Sequence, residues 1–438
     1  MTREELQQHQ AGRFQELLRW LVPANRFWTR KWQVAGLDLS NLDFANLPLT
    51  SKAELVEDHQ ANPPYGSNLT FPLEAYSRFC QTSGTTGQPL RWLDTPESWQ
   101  WMLGCWEQIF EMARLRADDR LAFPFSFGPF LGFWAAFEGA ARLGRLCLPG
   151  GGMSSEARLR FIEENQATVV CCTPTYALRL AEVAADLAKQ PGSSTAAEMF
   201  KSVRMLIVAG EPGGSVPSIR QKIEESWGAR VIDHWGMTEL GPLASECVEN
   251  PGGLHILETE CIAEIIDPET GTTVGSENSE TQPIRGELVI TNLGRIGSPM
   301  IRYRTGDIVE LDPAPCPCGR PLMRLKGGIL GRVDDMLTIR GNNVFPTAIE
   351  AILREFPEVI EFQFHTVTRD SMPQIQIEVE TTMSVPDVEK IEEVHAMIDR
   401  IESAIHDRLH FRPEVVPVPP NSLPRSEMKS RRMNRKPK

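Results

Sequence analysis

Apolar positions recur at helical spacing from residue 3 to about residue 21, which predicts an amphipathic helix. A polar, proline-containing connection runs through residues 46–66. Thr95-Pro96-Glu97 then supplies an N-cap, a proline at the first helical position and an early acid. The helix it opens carries Trp99, Met102, Trp106, Ile109, Phe110 and Ala113 on its apolar side. Further on the pattern repeats. Ser154 or Ser155 caps a helix to Glu164, and residues 167–172 read as a buried strand. Residues 175–188 read as a helix, 205–209 as a second strand, 216–227 as a helix and 230–233 as a third strand. Strands alternating with helices predict a parallel, doubly wound α/β sheet, with ligands beyond the carboxyl ends of its strands. Residues 263–308 are β-rich, with Gly and Pro turns.

After Arg332 the texture changes. Strands are expected near 336–339, 361–367, 374–380 and 415–418, with helices near 347–356 and 386–409. This order fits a small α+β domain. The expected division is therefore a large unit, residues 1–331, and a small unit, residues 332–438, joined at Arg332–Asp334.

At 438 residues the chain exceeds one ordinary domain of roughly 150 residues, in keeping with that division. A net charge of −13 disfavours a general nucleic-acid or anionic-membrane surface. An anionic substrate therefore needs a local site built to receive it. The longest uncharged stretch, residues 121–137, is interrupted by Pro124, Gly128, Pro129 and Gly132 and makes a poor membrane span. Glu4 and Glu5 stand where a secretory leader would be basic. Nine cysteines, an odd number and mostly scattered, argue for a reducing compartment. A cytoplasmic protein is expected.

The strongest local signal is Thr82-Ser83-Gly84-Thr85-Thr86-Gly87-Gln88-Pro89. Glycines let backbone N–H groups turn inward and short hydroxyls add donors, so such a loop can cradle phosphate oxygens. It lacks the Gly-Lys-Ser/Thr ending of a Walker A loop. Ser83 also lacks a Gly-x-Ser-x-Gly elbow, which argues against a hydrolase triad.

Taken with five further segments in order, this loop resembles the phosphate loop of the adenylate-forming superfamily. Ala209-Gly210-Glu211-Pro212 is similar to the segment lining the adenine pocket. Asp233-His234-Trp235-Gly236-Met237-Thr238-Glu239 resembles the aromatic-Gly-x-Thr-Glu element. Tyr303-Arg304-Thr305-Gly306-Asp307 and Gly331-Arg332-Val333-Asp334-Asp335 match two more of its motifs, the second being the hinge. Pro424-Arg425-Ser426-Glu427-Met428-Lys429 resembles the segment of the catalytic lysine. Within the superfamily, Cys172-Thr173-Pro174-Thr175-Tyr176-Ala177 and Arg340-Gly341-Asn342-Asn343-Val344-Phe345-Pro346 look most like phenylacetate–CoA ligases.

The resemblance implies an ATP-dependent, AMP-forming acid–CoA ligase. Such an enzyme activates a carboxylic acid as an acyl-adenylate and passes the acyl group to a thiol. It implies catalytic roles for Lys429, Thr238 and Glu239, with Glu239 holding Mg²⁺, a hard cation that prefers oxygen ligands. Thr82, Ser83, Gly84, Thr85, Thr86, Gly87, Gly210, Glu211, Pro212, Asp233, Trp235, Asp307 and Arg332 are its expected nucleotide contacts. Trp235 stands where the family usually has Tyr, and either ring can stack on adenine. Asp307 suits the two ribose hydroxyls. Lys429 would neutralise charge at the α-phosphate, and the small domain would turn about Asp334 between half-reactions. His234 is expected to be a wall residue. A homodimer is implied only by analogy with the subgroup. Transfer to a carrier-protein thiol or another acceptor stays open, as does a non-catalytic relative that binds nucleotide or acid.

Two clusters stand apart from these motifs. Cys316-Pro317-Cys318 with Cys247 and His255 offers the donors of a Cys₃His zinc site, against four unrelated loop residues. Some relatives carry a structural Zn²⁺ on a similar pattern. Phe123, Phe125, Phe127, Phe130, Phe133, Trp134 and Phe137 form an aromatic cluster that reads as core, or as the lining of an apolar acyl pocket. Tyr176 and residues 210–214 are further lining candidates, and an aromatic or otherwise apolar acid is favoured.

Overall fold

The computed structural model describes residues 1–82, 89–132, 134–274, 283–335, 337–339, 342–369, 372–382, 388–425 and 432–434. Ser83 to Gly87, Phe133 and Lys429 lie outside the described residues.

Helix α1 (Arg3–Ala24) starts at a capping box in which Thr2 and Glu5 satisfy each other's backbone N–H. Helices α2 (Arg26–Val34) and α3 (Lys52–Ala61) follow. The second of these corrects the expected irregular connection. Ser51 and Glu54 form a capping box, a signal that was in the sequence, but α3 buries little and so has no apolar stripe to read. A hairpin, β1 (Arg78–Gln81) and β2 (Arg91–Asp94), leads to α4 (Pro96–Met112), whose cap is Thr95 as expected.

The alternating region then runs β3 (Arg120–Phe123), α5 (Trp134–Arg142), β4 (Leu146–Pro149), α6 (Ser155–Glu164), β5 (Val169–Cys172), α7 (Pro174–Leu187), α8 (Ala196–Met199), β6 (Met205–Val208), α9 (Pro217–Trp227) and β7 (Arg230–Met237). Five of these strands pair in parallel in the order β4-β3-β5-β6-β7. Their side chains divide by parity. Val169, Cys171, Met205, Ile207 and Ile232 join one core with Trp106, Ile109 and Phe110 of α4. Val170, Cys172, Leu206, Val208 and Val231 join a second core with residues of α7 and α9. A strand buried on both faces has no polar alternation, which is why these runs read as continuously apolar. This is the expected doubly wound sheet. The contributions of β3 and β4 were not read from the sequence.

Antiparallel strands β8 (Gly241–Cys247), β9 (Asn250–Ile256) and, later, β13 (Arg324–Lys326) extend the sheet beyond β7. A separate four-stranded antiparallel sheet runs β10-β11-β12-β14, from β10 (Cys261–Ile266), β11 (Arg285–Asn292), β12 (Tyr303–Glu310) and β14 (Gly331–Arg332).

Beyond Arg332 come the hairpin β15 (Leu337–Ile339) and β16 (Asn342–Val344), then α10 (Pro346–Leu353), β17 (Val359–Arg369), β18 (Met372–Thr381), α11 (Val388–Leu409), β19 (Glu414–Val418) and β20 (Met433–Asn434). Four of them form the sheet β19-β18-β17-β20, and α10 and α11 share an apolar core with it through Ile349, Met397, Ile401 and Ile405. The α+β texture expected here is present.

Candidate active site

The site residues gather where the end of β7 meets β12 and β14. Trp235, near the end of β7, donates its indole N–H to Asp307 Oδ2 at 2.9 Å. Asp307 and Arg332 are cross-strand partners on β12 and β14, and Arg332 donates to Asp307 Oδ1 at 2.8 Å. Gly306, just before Asp307, has φ 75°, and a Cβ there would stand 2.9 Å from an Arg332 nitrogen. Two donors therefore hold both oxygens of the Asp307 carboxylate. The Trp235 contact spans 72 positions and was not foreseen. It fixes the plane of a ring that is itself buried.

Glu239 follows in the turn after β7 and is 2% exposed. Its Oε1 meets the Tyr303 hydroxyl at 3.5 Å and the Lys52 ammonium at 3.9 Å, both longer than a strong hydrogen bond. The turn is held from behind. Arg295 and Asp94, both fully buried, form a fork-to-fork pair with two bonds of 2.7 Å. The third arm of that guanidinium donates to the carbonyl of Thr238 at 2.5 Å. Neither Arg295 nor Asp94 lies in a motif, so the sequence carried no signal for this support.

Residues 209–215 wrap closely around Asp233. Ser215 donates to Asp233 Oδ2 at 2.5 Å, and a Cβ on Gly214 would stand 2.4 Å from Oδ1. Burial pushes the Asp233 carboxyl up to about 7. Its backbone N–H donates to Glu246, which is fully buried and paired with Arg220 at 2.9 Å. Gly328 closes the same side, its Cβ position being 2.7 Å from Ser215 Oγ. Glu211 accepts from the backbone N–H of Thr175 at 2.8 Å, while Gly210 supplies a φ of 96° and Pro212 follows. Thr82 bonds Leu90 through both its backbone N–H and its hydroxyl, closing the base of the Gly-rich segment.

His234 donates Nδ1–H to the Ala244 carbonyl at 2.8 Å, and burial lowers its pKa to about 4. It is a neutral ring packed 4.5 Å from Trp106. Tyr176 is not in the site. Its hydroxyl bonds Arg158 at 2.6 Å and Ser155 at 3.1 Å inside the core under α7. The rings of Phe125, Phe127, Trp134 and Phe137 pack on one another at the carboxyl end of β3 and stay partly exposed.

Away from this centre, Cys247, His255, Cys316 and Cys318 bring four donor atoms within 4.8 Å of one another. Cys247 and Cys316 sulfurs are 3.6 Å apart, and Cys318 sulfur lies 3.6 Å from His255 Nε2. Tetrahedral zinc with its usual bond lengths puts neighbouring ligand atoms roughly 3.5–3.8 Å apart. The donor set therefore fits that ion in kind and in spacing.

The motif-bearing residues thus meet at the end of a doubly wound sheet. Residues 50–294, more than half the chain, match the model of the AMP-binding enzyme family, and residues 341–436 match the AMP-binding enzyme C-terminal domain. The chain belongs to the AMP-binding enzyme family. It is 31% identical to the phenylacetate-coenzyme A ligase of Thermus thermophilus, over 98% of this chain and 95% of that one. Among solved structures it is similar to 2-hydroxyisobutyryl-CoA ligase at 28% identity. In the postadenylation state with an acyl-AMP, that enzyme superposes with a TM-score of 0.89, covering 100% of this chain and 90% of the other. In the thioesterification state the TM-score is 0.71, over 99% and 90%.

Proposed function

We propose that this chain is an ATP-dependent, AMP-forming ligase that activates an aromatic or apolar carboxylic acid as an acyl-adenylate and transfers it to CoA. The observation that carries the reading is the meeting of Glu239, Trp235, Asp307 and Arg332 at the junction of two sheets in a chain of this family. Asp307, held by Trp235 and Arg332, presents remaining lone pairs to the ribose hydroxyls. Glu239 is buried, its contacts among the described residues are long, and it fits Mg²⁺, which when bound would neutralise phosphate charge. Thr82, with Ser83 to Gly87, receives phosphate oxygens. Residues 210–212 and Asp233 line the base, and Thr238 faces the α-phosphate. Lys429 stabilises charge at the reacting carboxylate and phosphate oxygens. The partly exposed aromatic rings beyond β3 favour an apolar acyl group.

Residues 332–438 act as the mobile unit, turning about the exposed Asp334. The higher TM-score with the postadenylation state supports reading the present arrangement as the adenylation side of that cycle. Cys247, His255, Cys316 and Cys318 hold a structural Zn²⁺ that ties the turn before β13 to β8 and β9. None of the nine cysteines, all among the described residues, is in a disulfide, in keeping with a cytoplasmic setting. Among the described residues no helix is long and apolar enough to cross a membrane.

The test is acid-dependent ATP–pyrophosphate exchange across aryl, arylalkyl and fatty acids, followed by addition of CoA. Exchange with an apolar acid and CoA-dependent AMP release are expected. Exchange that ignores CoA would replace CoA with another acceptor, and ATP binding without exchange for any acid would remove the ligase reading.

A further inference from the structure

Two arginines flank residues 426–431, the stretch that carries Lys429, and both are tied to one place in the C-terminal sheet. Before the stretch, Arg425 donates to Glu380 Oε2 at 2.6 Å, while Glu380 Oε1 accepts the backbone N–H of Leu423 at 2.5 Å. After it, Arg432 donates from Nε to Glu361 Oε1 at 2.8 Å and from Nη2 to Glu361 Oε2 at 3.3 Å. Its third arm reaches Glu350 of α10 at 2.6 Å, and its guanidinium lies 4.9 Å from the centre of the Phe362 ring. The backbone follows the side chain, since the Arg432 carbonyl accepts from Phe364 N–H at 2.6 Å where β20 joins β17.

The anchoring carboxylates are not independent. Glu361 on β17 and Glu380 on β18 are direct cross-strand partners. Glu380 is fully buried, and Glu361 is nearly so. A buried carboxylate needs a cation and hydrogen bonds to stay charged, and each of these receives a guanidinium from the same chain segment. Arg425 and Arg432, which stand on either side of Lys429 in the sequence, are therefore tied to the two carboxylates of a single rung.

The second anchor also faces the rest of the molecule. Ser218 of α9 donates to the carbonyl of Ala351, the residue after Glu350, at 2.9 Å. Glu211, in the nucleotide-lining segment, acts electrostatically on both Glu350 and Arg432. Arg354 completes the cluster beside Phe362 and Glu361, with Lys222 and Glu182 also within its field.

We infer that Arg425 and Arg432 are positioning residues for adenylation, fixing both ends of the Lys429 segment on the Glu361–Glu380 rung. The inference rests on the proposed role of Lys429. It adds that ion pairs to two buried carboxylates hold the residues on either side of the lysine's stretch, and that these pairs matter in one half-reaction only. A displacement of about 1 Å of a charge-stabilising group can cost up to roughly 10²-fold in rate.

The test uses the full-length protein and two assays: acid-dependent ATP–pyrophosphate exchange, and thioester formation from supplied acyl-adenylate and CoA. R425Q and R432Q are each expected to lower exchange roughly ten-fold or more, with thioester formation within about two-fold of wild type. R425K and R432K keep the charge but lose the fork, and are expected to recover part of the exchange. If the glutamine variants do not fold, the lysine variants decide by the same split. Equal loss in both assays, or undiminished exchange, would overturn the inference. Lys429→Ala is the reference: if it abolishes exchange while the arginine variants do not, the lysine role stands and the anchors fall. If Lys429→Ala leaves exchange intact, the role of the lysine is wrong and the anchors aim nothing.

Discussion

At the scale of single residues, the indole of Trp235 does more than fill space. A phenyl ring would keep the stacking surface and lose the N–H that reaches Asp307 at 2.9 Å. A lost hydrogen bond to a charged acceptor is worth about 1.5–3 kcal/mol. Trp235→Phe is therefore expected to raise the KM for ATP roughly ten-fold, read from exchange rates against ATP concentration, while the acid KM stays close to wild type. Asp233 gives a pH dependence whose sign follows from burial. Its carboxyl rises from an ordinary value of 3.8 to about 7 in the fold, so between those values the folded state holds a proton the unfolded chain has lost. The stability it contributes is present below the unfolded value and is lost as pH rises towards 7. Between pH 5 and pH 8 this fall is on the order of 2 kcal/mol. Asp233→Asn is expected to remove that part of the slope, measured by urea unfolding at the two pH values. Unfolding curves with the same pH slope in both proteins would mean that Asp233 is ionised throughout.

At the scale of elements, the zinc-type cluster joins the turn before β13 to β8 and β9, the strands that β13 extends. Cys247 ends β8, His255 sits in β9, and the Cys316–Cys318 turn precedes the three-residue β13. Cys318→Ser is expected to release about one equivalent of zinc, measured on protein purified without chelator, and to lower the unfolding temperature by several degrees, with adenylation retained. Wild-type protein without zinc would end that assignment. The same region shows what could be read in advance. The cysteine and histidine types were visible, but their convergence depends on the β8–β9 and β9–β13 registers, which no short motif encodes. The parallel strands were legible because burial on both faces makes them continuously apolar. Helix α3 was missed because it buries almost nothing, although its Ser51–Glu54 capping box was there to see. The nucleotide motifs were legible as words. The groups that hold them, Arg295 behind Thr238 and Trp235 against Asp307, lie 57 and 72 positions from their partners and leave no local trace.

For the whole molecule, the proposed cycle asks one chain to serve two reactions by moving residues 332–438. Lys429→Ala is expected to slow adenylation roughly 10²-fold or more while sparing thioester formation from supplied adenylate. Loss of both reactions together would place the lysine in the thiol step as well. The Asp94–Arg295 pair has a different consequence, in the order of assembly. The two residues are 201 positions apart and both end with no exposure to water. Whichever enters the closing core alone would be an uncompensated buried charge, costing several kcal/mol. The hairpin and α4 on one side, and the strand-rich segment around residue 295 on the other, therefore have little to gain from closing separately. Burial of Asp94 as a carboxylate is therefore favoured only once Arg295 has been made. The turn that carries Glu239, held from behind by Arg295, then gains its support only after residue 295 has been made.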